Sequence, residues 1–431
     1  MKHDFLVGAA TAAHQVEGNN IHSDLWVQEN LPHSTFTEPS LDAVDHYNRY
    51  REDIQYLADA GMNAYRFSIE WARIEPKRGV YDRTALAHYK DVLMFCHEKG
   101  ITPIVTMHHF SSPAWLIAKG GWKKKYVIKA FAQYCAYVVS ELGHLMPYVC
   151  TINEANMGYQ IYKLSQDVVK SFKGEGDVQI GIKLDIKVLL KDLLDQGRAF
   201  RCNPFGVNTF ISPREQKHEL IVMQAHQAAV EAIHRVSSKT KVGITLSLWD
   251  YQPVDGGEAA AAALWQEEFG FYLPHLKNDD FLGVQNYSRK LVGPEGGREP
   301  AQGVRCTQMG YEDYPQSIGN VLRKVSKEFH GDLIVTENGI GTDDDQRRCA
   351  FIEEATASVS AAQADGVPVK GYMCWSLLDN FEWQAGFSKT FGLIAVDRKT
   401  QTRYPKESLA VLGRIAKQWH GADMEATFDE E

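Results

Sequence analysis

Leu333-Ile-Val-Thr-Glu-Asn-Gly339 is a short apolar, β-branched run that reaches an acid and then turns. A strand buried on both faces reads this way, and Asn-Gly is a chain-turning pair. Downstream lies a segment of helical periodicity, Asp344–Ala364, with Asp344 placed as its cap, and then a second apolar run, Val369–Trp375. Strand, helix and strand in that order form a unit of parallel sheet. The same rhythm fills the chain. Strand-like runs occur at Phe5–Ala10, Asn63–Phe67, Thr102–Met107, Tyr148–Ile152, Lys241–Leu246 and Phe281–Gln285, with helical stretches at Thr84–Lys99, Val127–Leu142 and Leu220–Val236. Eight strand candidates, most followed by a helix, predict an α/β fold, and the count favours closure into a single (β/α)8 TIM barrel. An open doubly wound sheet is the alternative.

The 431 residues suffice for two or three domains, or for one large barrel with insertions. No repeat, low-complexity tract or composition break marks a boundary, so residues 1–431 read as one catalytic domain. Hydrophobic content of 44% supports a sizeable core. Basic residues number 46 and acidic ones 55, and the net charge of −9 argues against a nucleic-acid surface. Lys123-Lys-Lys125 is the one tight basic run, and at a helix start it reads as a solvated face. No window reaches the ~18 apolar residues of a membrane span. The seven cysteines are scattered without a Cys-x-x-Cys pair, as expected of reduced core thiols in a cytoplasmic protein.

Residues 155–218 break the rhythm. This connection after the fourth strand holds Gly174-Glu-Gly, a mixed-charge stretch from Lys183 to Arg201, and helical periodicity around Leu184–Gln196. Insertions of this length are often lids or binding loops, and this one is expected over the barrel mouth. The acid that precedes it, Glu154 in Thr151-Ile-Asn-Glu-Ala155, ends strand four as Glu337 ends strand seven. One strand-end Glu is ordinarily a solvated rim residue. Two of them, each beside an Asn amide, converge on one mouth if the barrel closes. Facing carboxyls suit glycosidic cleavage, in which one must be protonated to release the leaving oxygen and the other ionised. Their proximity splits the pKa values into an acid and a base.

Other stretches point the same way. They are Gly8-Ala-Ala-Thr-Ala-Ala-His-Gln-Val-Glu-Gly18, Tyr65-Arg-Phe-Ser-Ile-Glu-Trp-Ala-Arg-Ile74, Trp375-Ser-Leu-Leu-Asp-Asn-Phe-Glu-Trp383 and Phe391-Gly-Leu-Ile-Ala-Val-Asp397. With Thr336-Glu-Asn-Gly339 they resemble, in order, the motifs of glycoside hydrolase family 1, the β-glucosidase and β-galactosidase group. The resemblance runs from Phe5 to about Arg414.

That resemblance implies a retaining β-glycosidase acting on terminal, unphosphorylated β-glucosyl, galactosyl or fucosyl residues. Glu337 would be the nucleophile and Glu154 the acid/base, with carboxyls ~5–5.5 Å apart. Arg66 and Tyr287 would hold Glu337 ionised and aimed. Asn153 would bind the sugar 2-hydroxyl, Gln15, His109, Glu382 and Trp383 the other hydroxyls, and Trp375 would floor the ring. No cofactor or metal is implied, since adjacent His108 and His109 point to opposite faces of a strand and no third ligand is spaced for them. The partner is a β-glycoside, with no nucleic acid or membrane; the oligomeric state is left open. Taken alone, Trp375, Phe381 and Trp383 would pass for core aromatics and Tyr287 for a core phenol.

Four positions depart from the family. Ala155 replaces the usual Pro after the acid, which should loosen that turn while keeping the carboxyl. Phe110 and Tyr311 stand where Trp is common, and Gln285 is one methylene longer than the usual Asn. The intact Glu382-Trp383 pair argues against 6-phosphosugars, because a carboxylate there would repel phosphate, and Glu154 argues against thioglucosidases that carry Gln. The alternatives are a transglycosylating β-glycosidase and a non-catalytic glycan-binding relative.

Overall fold

In the computed structural model, which describes residues 5–172 and 186–421, eight parallel strands close into a barrel. They are Leu6–Ala10, Ala64–Ser68, Thr102–His108, Tyr148–Ile152, Lys241–Ser247, Phe281–Gln285, Asp332–Asn338 and Val369–Trp375. Each strand pairs with its neighbours in chain order, and the first pairs with the last from Leu6↔Gly371 to Ala10↔Trp375. All eight predicted strands are present, and three have the predicted bounds.

Alternation along each strand sorts side chains between two cores. Leu6, Ala10, Ile104, Cys150, Ile334 and Met373 point inward and fill the barrel. Val7, Ala9, Val105, Val149, Leu333 and Val335 point outward against the helices. Because both faces are apolar, the strands read as near-continuous hydrophobic runs. Gly8 lets strands one and two approach closely: a Cβ there would lie 1.8 Å from the Ala64 carbonyl oxygen.

The helices are stopped and started by local chemistry. Asp82 caps Arg83–Glu98, accepting from the backbone of Thr84 and Ala85. Asp344 caps Asp345–Ala364 in the same way, as predicted. Lys124 and Lys125 are exposed ahead of helix Tyr126–Leu142. Arg403, on a short C-terminal hairpin (Ile394–Val396 with Arg403–Pro405), grips buried Asp53 at 2.8 and 2.9 Å and so ties the chain end to helix His46–Asp59.

The connection after strand four is more helical than expected. Met157–Phe172 and Ile186–Ala199 are both helices; Gly174-Glu-Gly and the start of the mixed-charge stretch lie outside the described residues. A small sheet of Asp250–Pro253, Arg289–Gly293 and Gly296–Gly297 adds to the fold and was not predicted. Among the described residues, no helix is long and apolar enough to cross a membrane. None of the seven cysteines is paired, and five are buried.

Candidate active site

The carboxyl ends of the strands surround a cavity of about 710 Å³. Eight of the ten predicted site residues line it: His109, Asn153, Glu154, Tyr287, Glu337, Trp375, Glu382 and Trp383. Arg66 and Gln15 stand behind them and act through contacts. Backbone geometry is unusual at this rim. Glu154, Phe110 and Trp383 all have left-handed φ angles (42°, 66° and 49°), which non-glycine residues hold only where the surroundings enforce them.

Glu337 sits at a register shift, where strand seven slips against both neighbours. Such bulges re-aim a side chain. Its carboxylate accepts from Arg66 Nη1 at 2.5 Å on one oxygen and from the Tyr287 hydroxyl at 2.6 Å on the other. The other arm of the Arg66 fork reaches Asn153 Oδ1 at 2.6 Å, and Gln285 Nε2 reaches the same oxygen at 2.8 Å. The extra methylene of Gln285 therefore carries its amide to Asn153. With its oxygen so occupied, the Asn153 amide faces His109 Nε2 at 3.1 Å. Burial holds His109 well below its usual pKa, with Arg66 adding to the effect, so the ring is neutral.

The two acids are not equivalent. Burial pushes Glu154 well above the ordinary carboxyl range, and the charge of Glu337 pushes it further. Burial also raises Glu337, but Arg66 and the Tyr287 hydroxyl pull against that rise. No cation pairs with Glu154 among the described residues. Glu154 is thus the group that keeps its proton and Glu337 the one that gives it up.

Ala155 does not loosen the turn. Its N–H donates to Thr245 O at 3.1 Å, a bond that proline cannot make. The Glu154 N–H donates to Thr245 Oγ1 at 3.0 Å. The turn is tied to Thr245 of strand five by two N–H groups, one of which proline would remove.

At the inner end, Gln15 donates to Phe381 O at 2.8 Å and to Glu382 Oε2 at 3.3 Å. Burial and the charge of Glu337 push Glu382 up to about 8, so it is largely neutral at pH 7. The repulsion of phosphate expected from a carboxylate there is correspondingly weak. Among the described residues lining the cavity, Lys290 is the sole Lys or Arg, and it lies over Trp249, 5.0 Å from the ring centroid.

The wall toward the outer end was not foreseen from the sequence, apart from Tyr311 and the insertion. It comprises Met157, Ile161, Leu164, Ile211, Trp249 and Met309, among others. The first four belong to 155–218. Trp249 lies two residues past strand five, and its place just beyond a strand end is the signal that could have flagged it.

The chain matches the description "Glycosyl hydrolase family 1" over residues 1–170 and 280–420. It is 31% identical to Beta-glucosidase A of Thermotoga maritima, covering 94% of this chain and 95% of that protein. It is 28% identical to a 6-phospho-beta-galactosidase of Streptococcus mutans, over 96% and 97%. Among solved structures, beta-glycosidase BGL167 superposes with a TM-score of 0.87 at 42% identity, covering 96% of this chain and 97% of the other. The unmatched stretch between 170 and 280 holds the fifth strand and, of the outer wall, Ile211 and Trp249, whereas the paired acids and the groups that hold them fall within the matched parts. With a shared fold, shared motifs and this breadth of likeness, the chain belongs to glycosyl hydrolase family 1 and is a glycoside hydrolase.

Proposed function

We propose that this protein is a retaining β-glycosidase that removes terminal, unphosphorylated β-D-glucosyl residues, and also galactosyl or fucosyl residues. The observation that carries the reading is the asymmetry of the acids: Glu337 is held by Arg66 at 2.5 Å and Tyr287 at 2.6 Å, while Glu154 is buried without a cation. Glu337 attacks the anomeric carbon as Glu154 passes its proton to the glycosidic oxygen. The alcohol departs and the sugar is left as an ester of Glu337. Glu154, now ionised, takes a proton from water; that water breaks the ester and restores both carboxyls. The two inversions together retain configuration.

In this scheme Asn153 binds the 2-hydroxyl, a contact that strengthens as charge develops at the anomeric centre. His109, Glu382 and Trp383 take other hydroxyls, Gln15 acts with Glu382, and Trp375 packs on the ring's C–H face. The name of the Thermotoga maritima relative, Beta-glucosidase A, supports the glucosyl preference. The apolar outer wall fits an aryl leaving group better than a second sugar, which would present hydroxyls to Met157, Ile161 and Met309. Residues 1–431 act as one catalytic domain, with 155–218 as part of the leaving-group wall. Unpaired cysteines fit work in a reducing, cytoplasmic compartment.

The test is trapping with dinitrophenyl 2-deoxy-2-fluoro-β-glucoside. A burst of dinitrophenolate and a mass increase on the peptide carrying Glu337 are expected. Absence of label, or label on another residue, would refute the assignment and favour a glycan-binding role.

A further inference from the structure

Behind the acid lies a buried cluster that the chemistry above does not use. Two residues past Glu154, the fully buried Asn156 donates to Ser247 O at 2.7 Å and to Glu268 O at 3.2 Å, while its own oxygen accepts the Ser247 N–H at 3.0 Å. One turn along helix Met157–Phe172, Gln160 donates to the same Ser247 oxygen at 3.0 Å and to the Glu268 carboxylate. That carboxylate also accepts the Trp249 N–H at 2.9 Å and the Tyr251 hydroxyl at 3.2 Å.

Two features separate this cluster from ordinary packing. Glu268 is buried and makes no ion pair among the described residues, an arrangement that costs stability unless something is gained. It also sits in a π-turn, Gln266–Gly270, an irregularity that frequently marks functional sites. The cluster grips three pieces of backbone at once: the turn carrying Glu154, the end of strand five at Ser247 to Trp249, and the π-turn. Ser247 also lines the cavity beside Glu154, where its hydroxyl opposes the rise that burial gives the acid.

We propose that Asn156 and Glu268 are positioning residues for the acid/base step, the amide clamp fixing Ser247 against Glu154 and Glu268 fixing both the clamp and the Trp249 wall. This rests on the reading of Glu154 as the acid. In a chain without proline after that acid, the clamp supplies the rigidity. Misplacement of a proton donor by about 1 Å can cost about 100-fold, and the loss falls on substrates whose leaving oxygen needs the proton.

Asn156→Ala, Gln160→Ala and Glu268→Gln in the full chain test this, with Glu154→Ala as reference. The readouts are kcat/KM across β-glucosides from dinitrophenyl to benzyl, the pH profile on the slow substrates, and thermal melting. Asn156→Ala and Glu268→Gln are expected to lose tenfold or more on benzyl glucoside and under threefold on dinitrophenyl glucoside, with the alkaline limb displaced. If Asn156→Ala does not fold, Gln160→Ala removes one donor to Ser247 and one to Glu268 and should tilt the series in the same direction. An even loss across the series, or none, overturns the clamp when Glu154→Ala itself shows a steep dependence. If Glu154→Ala also gives an even loss, the acid assignment fails and the clamp falls with it.

Discussion

Tyr287→Phe removes one oxygen atom and nothing else from the site. That hydroxyl donates to Glu337 Oε2 at 2.6 Å, and burial and the nearby carboxylates keep the phenol protonated by raising its pKa. A hydrogen bond to a charged group contributes about 1.5–3 kcal/mol, so its loss corresponds to about 10- to 150-fold in rate if it is felt where Glu337 acts. The sign on the pH axis follows from which form the bond favours. Tyr287 stabilises the ionised carboxylate, so without it Glu337 binds its proton more tightly and the acid limb of kcat/KM moves to higher pH. Arg66 remains and keeps that movement from becoming larger. The assay is the pH dependence of nitrophenyl glucoside turnover in wild type and variant, with the melting temperature as a check on folding. A drop in kcat with an unmoved or lowered acid limb would refute the reasoning, because the hydroxyl would then not act through the ionisation of Glu337.

Two further outcomes are expected. Esterification of Glu337 by a 2-fluoroglycosyl group deletes the negative charge that helps raise Glu154, so Glu154 should titrate at lower pH in the trapped enzyme than in the free one; carbon-13 NMR of labelled glutamate reads this, and an unmoved signal contradicts the coupling. Arg403→Met leaves Asp53 buried with only His46 beside it and should cost about 3–5 kcal/mol in chemical unfolding. Burial works to raise Asp53, but Arg403 and His46 hold it below its ordinary value. The wild-type pair therefore contributes above the unfolded carboxyl pKa and its contribution fades as pH falls through the folded one, so the gap between wild type and variant should narrow in acid.

The barrel was legible because its strands are buried on both faces. Tyr148–Ile152, Phe281–Gln285 and Val369–Trp375 are apolar runs that end at turns or polar residues, and nothing in tertiary context needed to override that pattern. Arg66, Tyr287, Asn153 and the two acids were legible through motif order; the structure joins the first three to Glu337 in one hydrogen-bonded chain and places Glu154 in the lining of the same cavity. Helix Met157–Phe172 was hidden by Gly158 near its start. A Cβ at that position would lie 2.2 Å from Arg214 Cζ, so the glycine answers to a distant arginine and lowers local helix propensity. The meeting of Asn156 with Glu268 was hidden for a different reason: it joins two segments by single amide contacts that leave no periodic trace. The small sheet around Asp250–Pro253 escaped because its strands are short and only half-buried.

The Ala155 turn has an evolutionary corollary. Placing at 155 the proline that the family resemblance leads one to expect deletes the N–H that meets Thr245 O. It also sets a pyrrolidine ring after Glu154, whose φ of 42° lies outside the extended range that residues before proline favour. A consensus substitution at this position should therefore damage the enzyme it is meant to stabilise. Because Asn156 and Glu268 hold the same turn, proline at 155 is expected to be tolerated better when 156 and 268 change with it than when it is introduced alone.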